Sequence, residues 1–208
     1  MPALDLAAFG AAPLNQEPFQ FLVLPGFVRP EARAAIRADF PRIDRPGSFP
    51  LSEVKYGPAF AALIAELQGL ALRAAVEEKF QVDLTGRPAM ITVRGRCREQ
   101  DGRIHTDSAT KIITVLLYLN PGWEAPGGRL RLLRSPDNLD AVIVEVPPDE
   151  GTLVAFRRGA HSFHGHTPFV GPRRVIQLNW VTTPEVLRYE ATRHRVSALV
   201  KRLLPGRD

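Results

Sequence analysis

The chain has 208 residues, with 27 Lys plus Arg against 22 Asp plus Glu, 16 Gly, 19 Pro and one cysteine, Cys97. That length supports one substantial core, the glycine and proline content excludes a helix bundle, and a lone cysteine excludes an internal disulfide. The charge of +5 is mostly arginine, scattered and without a zinc-finger or aromatic RNA-binding motif, so nucleic acid is not the expected partner.

The first residues, MPALDLAAFGAAPLN, carry Asp5 early and no basic stretch, so no secretory signal is expected. The longest apolar run, Ile112–Leu119, falls far short of the ~20 residues of a membrane-spanning helix. With one cysteine, a reducing cytoplasm is the expected setting and no membrane partner is expected.

Phe19–Leu24 reads as a short strand ending at the turn Pro25–Gly26. A helix is predicted over Pro30–Phe40, with proline suited to its first turn. After a Pro/Gly-rich loop, Pro58–Phe80 has helical spacing at Phe60, Leu63, Ile64 and Leu67, with Gly69 predicted to break it. From Ala89 the character changes to short runs rich in Ile, Val, Leu and Thr, separated by turn signals. Strands are predicted at Met90–Arg96, Lys111–Leu119, Arg129–Leu133, Ala141–Val146, Thr152–Phe156, Ser162–Pro168 and Arg174–Val181. Gly127–Gly128 reads as a hairpin turn without chemistry. Thr183 and Pro184 open a last helix, predicted to run to about Leu204.

The expected architecture is α+β, mainly β. It is a jelly-roll, cupin-like barrel buttressed by N-terminal helices and followed by a C-terminal helix. One domain is expected: residues 1–88 as helical support, 89–182 as the barrel core and 183–208 as the terminal helix. Barrels of this kind hold small ligands in their mouths.

The chemistry concentrates in two segments. "IHTDSATKIITVLLYLN" places His105 two residues before Asp107, directly ahead of the longest apolar run. Residues i and i+2 on an extended segment point the same way, so both side chains can reach one ion. Two imidazoles and a carboxylate on one face of a metal leave positions open, the arrangement of non-haem Fe(II) oxygenases. A third ligand must come from a neighbouring strand. The segment "HSFHGHTPFVGPRRVIQLNW" offers His161, His164 and His166, followed by the adjacent pair Arg173 and Arg174.

From Ala89 to Val181 the sequence resembles the 2-oxoglutarate/Fe(II)-dependent dioxygenases, and among them the prolyl-4-hydroxylase-like group. The matching pieces, in the family's order, are HTD (105–107), YLN-x-x-W (118–123), GG-x-L (127–130), GTLV-x-F (151–156), S-x-H (162–164) and R-x5-W (174–180). The resemblance implies a double-stranded β-helix holding Fe(II), with 2-oxoglutarate as cosubstrate and ascorbate as a candidate reductant. His105, Asp107 and His164 would be the metal ligands, and no further catalytic residue is implied. The aspartate at 107 favours hydroxylation over halogenation, since halogenases have a small residue there. Tyr118 would touch 2-oxoglutarate.

Arg174 is the expected anchor for the distal carboxylate of 2-oxoglutarate. It closes R-x5-W with Trp180, and Arg174, Ile176, Leu178 and Trp180 form an apolar set suited to a barrel interior. Arg173 falls on the other, more polar face. Arg94 and Arg96 share a strand face and could meet an anionic substrate or solvent; His166 and Trp180 are further candidates for contact near the metal or substrate. The expected reaction is hydroxylation of an unidentified substrate with release of succinate and CO2. The alternative is a cupin-like metal-binding sensor without turnover. The loops Gln100–Arg103 and Pro121–Pro126 are expected to choose the substrate, a small molecule or a protein side chain, and carry no motif that identifies it.

Overall fold

The computed structural model describes residues 1–185. The N-terminal part holds helices α1 (Leu6–Ala11), α2 (Pro30–Ala38), α3 (Pro58–Leu67) and α4 (Leu70–Phe80), with strands β1 (Phe21–Leu24) and β2 (Phe49–Pro50) between them. The remainder is β3 (Ala89–Cys97), β4 (Lys111–Tyr118), β5 (Leu130–Leu133), β6 (Val142–Val146), β7 (Leu153–Arg157), β8 (Phe163–Gly165) and β9 (Gly171–Val181). Prolines open α2 and α3, where a missing N–H costs nothing, and Gly69 separates α3 from α4 as its position predicts. The predicted helix beyond Pro184 lies outside the described residues.

Two antiparallel sheets face each other. The larger has the order β1-β7-β4-β9-β3-β2 and the smaller β6-β5-β8. The smaller sheet is extended by a bridge between His105 and His164, so the loop ahead of β4 acts as its fourth member. These are the two faces of a double-stranded β-helix.

Two cores follow from this layering. The outer face of the large sheet contributes Ile91, Val93, Ile176, Leu178 and Trp180 to a core shared with Phe60, Leu63, Leu67 and Val76 of the helices. Between the sheets, Tyr118, Leu130, Leu132, Val154, Phe156 and Val175 make a second cluster at the closed end of the barrel. Glu66 of α3 ties down the N-terminus by accepting hydrogen bonds from the amides of Ala3 (2.8 Å) and Leu4 (3.0 Å). Among the described residues no single helix is long and apolar enough to cross a membrane. The apolar α3–α4 pair is bent by 42° and buries Phe60, Leu63, Leu67, Leu72, Val76 and Phe80 in the core shared with the sheet.

The layering corrects one expectation. The apolar face of β9 that includes Ile176, Leu178 and Trp180 packs against the helices, not into the barrel. The barrel interior takes the more polar set, Arg173, Val175, Gln177 and Asn179. A sheet covered by helices is most apolar on its covered face, while the lining of a polar site cannot be. Trp180 is therefore a core residue, 2% exposed, and not a substrate contact.

Candidate metal centre

His105 and His164 are brought together by backbone pairing. The amide of His105 donates to the His164 carbonyl at 3.0 Å, and the His164 amide returns a bond of 2.9 Å. Asp107 follows two residues on, and one ligand atom from each of His105, Asp107 and His164 lies within 4.8 Å of the others. His105 is exposed at the mouth, whereas Asp107 and His164 are buried.

Both imidazoles are oriented from behind. The Nδ1 of His105 lies 2.9 Å from the Arg103 carbonyl, and that of His164 lies 3.0 Å from the Ser162 carbonyl. A carbonyl only accepts, so each Nδ1 carries a proton and each Nε2 is the nitrogen left for a metal. Burial, helped by the neighbouring His105, lowers the His164 pKa to about 4, so this imidazole is neutral near pH 7.

Asp107 is held as a carboxylate. Burial opposes its charge, but the Lys111 ammonium and nearby hydrogen bonds outweigh it and hold the carboxyl below its usual range. Lys111 Nζ donates to Oδ1 at 2.7 Å and the Thr114 hydroxyl donates to Oδ2 at 2.5 Å. Two imidazole nitrogens and one ionised oxygen on one side of a point fit a divalent iron with open positions. The donor set and its orientation therefore suit Fe(II).

The triad sits where two cavities meet. One, of about 190 Å³, runs inward past Thr114, Tyr118, His166 and Val175 to Arg173. The other, of about 300 Å³, opens past Ser48, Met90, Thr92, Ser108, Gln177 and Asn179. His105, Asp107, Lys111 and Gln177 line both.

Arg173 lines the inner cavity with two other cations, Arg94 and Lys111, which pair with Asp101 and Asp107. Arg173 is 5% exposed, its Nε donates to the Gly128 carbonyl at 2.8 Å, and its guanidinium lies 5.2 Å from the Tyr118 ring centroid. A terminal nitrogen reaches the Tyr118 hydroxyl at 3.4 Å. No carboxylate pairs with Arg173 among the described residues. Burial raises the pKa of the Tyr118 phenol, so its hydroxyl keeps its proton. Arg174, the expected anchor, lies on the opposite face of β9, with its guanidinium 5.4 Å from the centroid of the Phe40 ring. It lines a different cleft and does not reach the triad cavity.

Arg94 and Arg96 also separate. Pairing between β3 and β9 slips between them: Arg94 faces Val175, whereas Arg96 faces Pro172. Such a bulge breaks the two-residue alternation. Arg94 lines the triad cavity and pairs with Asp101 at 2.9 Å, while Arg96 joins Arg174 in the outer cleft. His166 lines the inner cavity, where burial and the charge of Arg173 lower its pKa to about 4. Its ring occupies the space a Cβ at Gly102 would take, and Gly102 has a φ of +89°, so the position suits glycine alone. His161 is exposed and outside the triad.

Sequence reasoning missed Lys111, Thr114, Gln177 and Asn179. Thr114 had a signal, being the only polar side chain until Tyr118 in the run Ile112–Leu119. It links Asp107 to the buried amide of Asn179, whose Oδ1 lies 2.9 Å from the same hydroxyl.

Residues 94–182 match the family model of the 2OG-Fe(II) oxygenase superfamily. No curated protein matches the chain by sequence. Among solved structures, a Pseudomonas putida prolyl-4-hydroxylase is 22% identical with a TM-score of 0.60, over 86% of this chain and 96% of that one. A Burkholderia pseudomallei oxidoreductase of the 2OG-Fe(II) oxygenase family is 16% identical with a TM-score of 0.53, over 85% and 90%. The viral collagen prolyl hydroxylase of Paramecium Bursaria Chlorella virus-1, solved with 2OG, is 15% identical with a TM-score of 0.53, over 78% and 96%. At these identities the likeness is one of fold. The family match over residues 94–182 and the converging triad point the same way: this part of the chain is similar to the 2OG-Fe(II) oxygenase superfamily, and the fold is that of the prolyl-4-hydroxylase structures.

Proposed function

We infer that this protein is an Fe(II)- and 2-oxoglutarate-dependent dioxygenase that hydroxylates its substrate with release of succinate and CO2. The observation that carries the reading is a His-Asp-His triad lining the same cavity as a buried arginine that no carboxylate pairs among the described residues. A metal-binding module without turnover has no need of that cation.

The triad residues would hold the iron through His105 Nε2, His164 Nε2 and one Asp107 oxygen. With iron, 2-oxoglutarate and O2 bound, the chemistry supplied is oxidative decarboxylation of the keto acid coupled to hydroxylation of a C–H bond. The chain's residues bind and orient. Arg173 would pair with the distal carboxylate of 2-oxoglutarate through its planar fork, and the Tyr118 hydroxyl would donate to the same group. Leu116, Leu130 and Val175 line the same cavity and exclude water from it. Thr114 and Lys111 keep the Asp107 carboxylate aimed and ionised. Substrate would approach through the second cavity, past Ser48, Thr92 and Asn179. We take residues 1–208 to act as one catalytic domain, with ascorbate serving as external reductant.

The test is direct. Protein loaded anaerobically with Fe(II) and 2-oxoglutarate should show a weak visible charge-transfer band, and air should then release succinate, with ascorbate prolonging turnover. A protein that binds Fe(II) but gives neither band nor succinate is a metal-binding module instead.

A further inference from the structure

Arg96 and Arg174, which the catalytic centre does not use, meet on the outer face of β3 and β9. There they line a cleft of about 270 Å³ together with Arg37, Phe40, Arg42, Ile43, Pro172 and one carboxylate, Asp44. Four guanidinium groups in so small a space repel one another unless negative charge compensates them. Compensation inside the protein is incomplete. Arg37 Nη1 is satisfied by both oxygens of Glu150 at 2.8 Å. Arg42 reaches Asp44 at 3.5 Å, but those side chains are 92% and 84% exposed, so the pair is screened by water. Arg96 and Arg174 make no ion pair among the described residues.

The cleft is built, not incidental. The backbone of Arg174 is held at both ends by Asn120, whose Oδ1 accepts from its amide at 2.6 Å and whose Nδ2 donates to its carbonyl at 3.1 Å. Its guanidinium is set against the Phe40 ring, which in turn packs edge-on against Phe60 at 5.4 Å. The loop carrying Arg42 and Ile43 seats directly on β3, because a Cβ at Gly95 would lie 2.6 Å from Ile43 Cβ and 2.7 Å from its carbonyl oxygen. The register slip between β3 and β9 leaves Arg96 in the same space. Two unpaired forks are thus held at a concave site with an aromatic wall.

We propose that this cleft binds the phosphoryl group of a small phosphomonoester, at a site separate from the iron centre. A single fork saturates a carboxylate, whereas a tetrahedral dianion offers oxygens to two or more forks at once. The Phe40 and Ile43 wall gives the organic part of the ester an apolar surface. The proposal does not depend on the catalytic reading.

The experiment follows the arginine side-chain Nε–Hε signals by NMR while inorganic phosphate and then phenyl phosphate are added at constant ionic strength. Arg96 and Arg174 should shift saturably, with phenyl phosphate binding more tightly than phosphate. The double variant Arg96→Gln/Arg174→Gln should weaken binding by about tenfold or more, the loss of two charge-assisted contacts, with Fe(II) and 2-oxoglutarate affinities unchanged. Arg96→Gln alone leaves the Phe40–Arg174 contact intact and should still weaken binding several-fold, so a misfolded double variant would not shield the proposal. Equal shifts with chloride, or unaltered phosphate affinity in Arg96→Gln, would overturn it. Tighter binding of a phosphoserine peptide than of phenyl phosphate would overturn the small-molecule assignment.

Discussion

His105 and His164 are neighbours twice over: their backbones exchange two hydrogen bonds and their ring centroids stand 4.3 Å apart. One ligand comes from the loop ahead of β4 and the other from β8, so the site forms only when the small sheet closes on that loop. His105→Ala, Asp107→Ala and His164→Ala should each abolish stoichiometric Fe(II) binding in anaerobic titration. His161→Ala should bind as the parent does. Retention of full affinity by His164→Ala together with its loss in His166→Ala would move the third ligand two residues along.

Arg173 and Arg174 make the sharpest contrast between neighbouring residues. Arg173→Ala should raise the apparent 2-oxoglutarate dissociation constant by about thirtyfold or more, the ~2–5 kcal/mol expected for truncating a buried charge pair. Arg174→Ala should leave it within about twofold, since an exposed-face arginine on an aromatic ring is worth ~0.5–1 kcal/mol and lies outside the cavity. The charge-transfer band, titrated with 2-oxoglutarate at fixed Fe(II), reads both. The opposite ranking would refute the assignment.

The pattern of failure around that pair is instructive. Helix and strand positions were legible because proline, glycine and apolar spacing act locally: β4, β5, β6 and β7 appear within a residue or so of their expected bounds. HTD and S-x-H were legible because metal ligation needs particular side chains at fixed spacing. The inward face of β9 was not, because alternation says which residues share a face and not which partner each face meets. Here the helices claimed Ile176, Leu178 and Trp180. Arg96 was misplaced for another reason: the register slip between β3 and β9 is a property of two paired strands and leaves no mark in either alone. Helix α1 and the short β2 also escaped, being six and two residues long.

Thr114 offers a test of how the aspartate is held. Its hydroxyl contacts both Asp107 Oδ2 and Asn179 Oδ1, joining the metal ligand to the buried wall of β9. Thr114→Val keeps the volume and removes the hydroxyl. Fe(II) affinity should fall by roughly 10–100-fold, the usual loss when a group orienting a ligand is removed. Thr114→Ser should restore most of it. If valine and serine behave alike, the hydroxyl is not what holds Asp107.

Acid should destabilise the metal-free protein through its buried imidazoles. His164 and His166 have ordinary values of 6.5 that burial lowers to about 4 in the fold; His105 adds to the effect on His164, and Arg173 to that on His166. Between those values the unfolded chain takes up protons that the folded chain refuses, so stability rises with pH across this window. Their contribution is complete above about pH 6.5 and is lost as pH falls toward 4. Each ring accounts for up to about 3 kcal/mol at ~1.36 kcal/mol per pH unit. Urea unfolding of chelator-treated protein should therefore show a midpoint that drops steeply from pH 7 to pH 4.5. His166→Gln removes one titrating ring without touching the triad, and should flatten that slope by roughly half if the two rings contribute equally. An unchanged slope in His166→Gln would mean that His166 is protonated as readily in the folded protein as in the unfolded chain, and that Arg173 and the cavity wall do not exclude its charge.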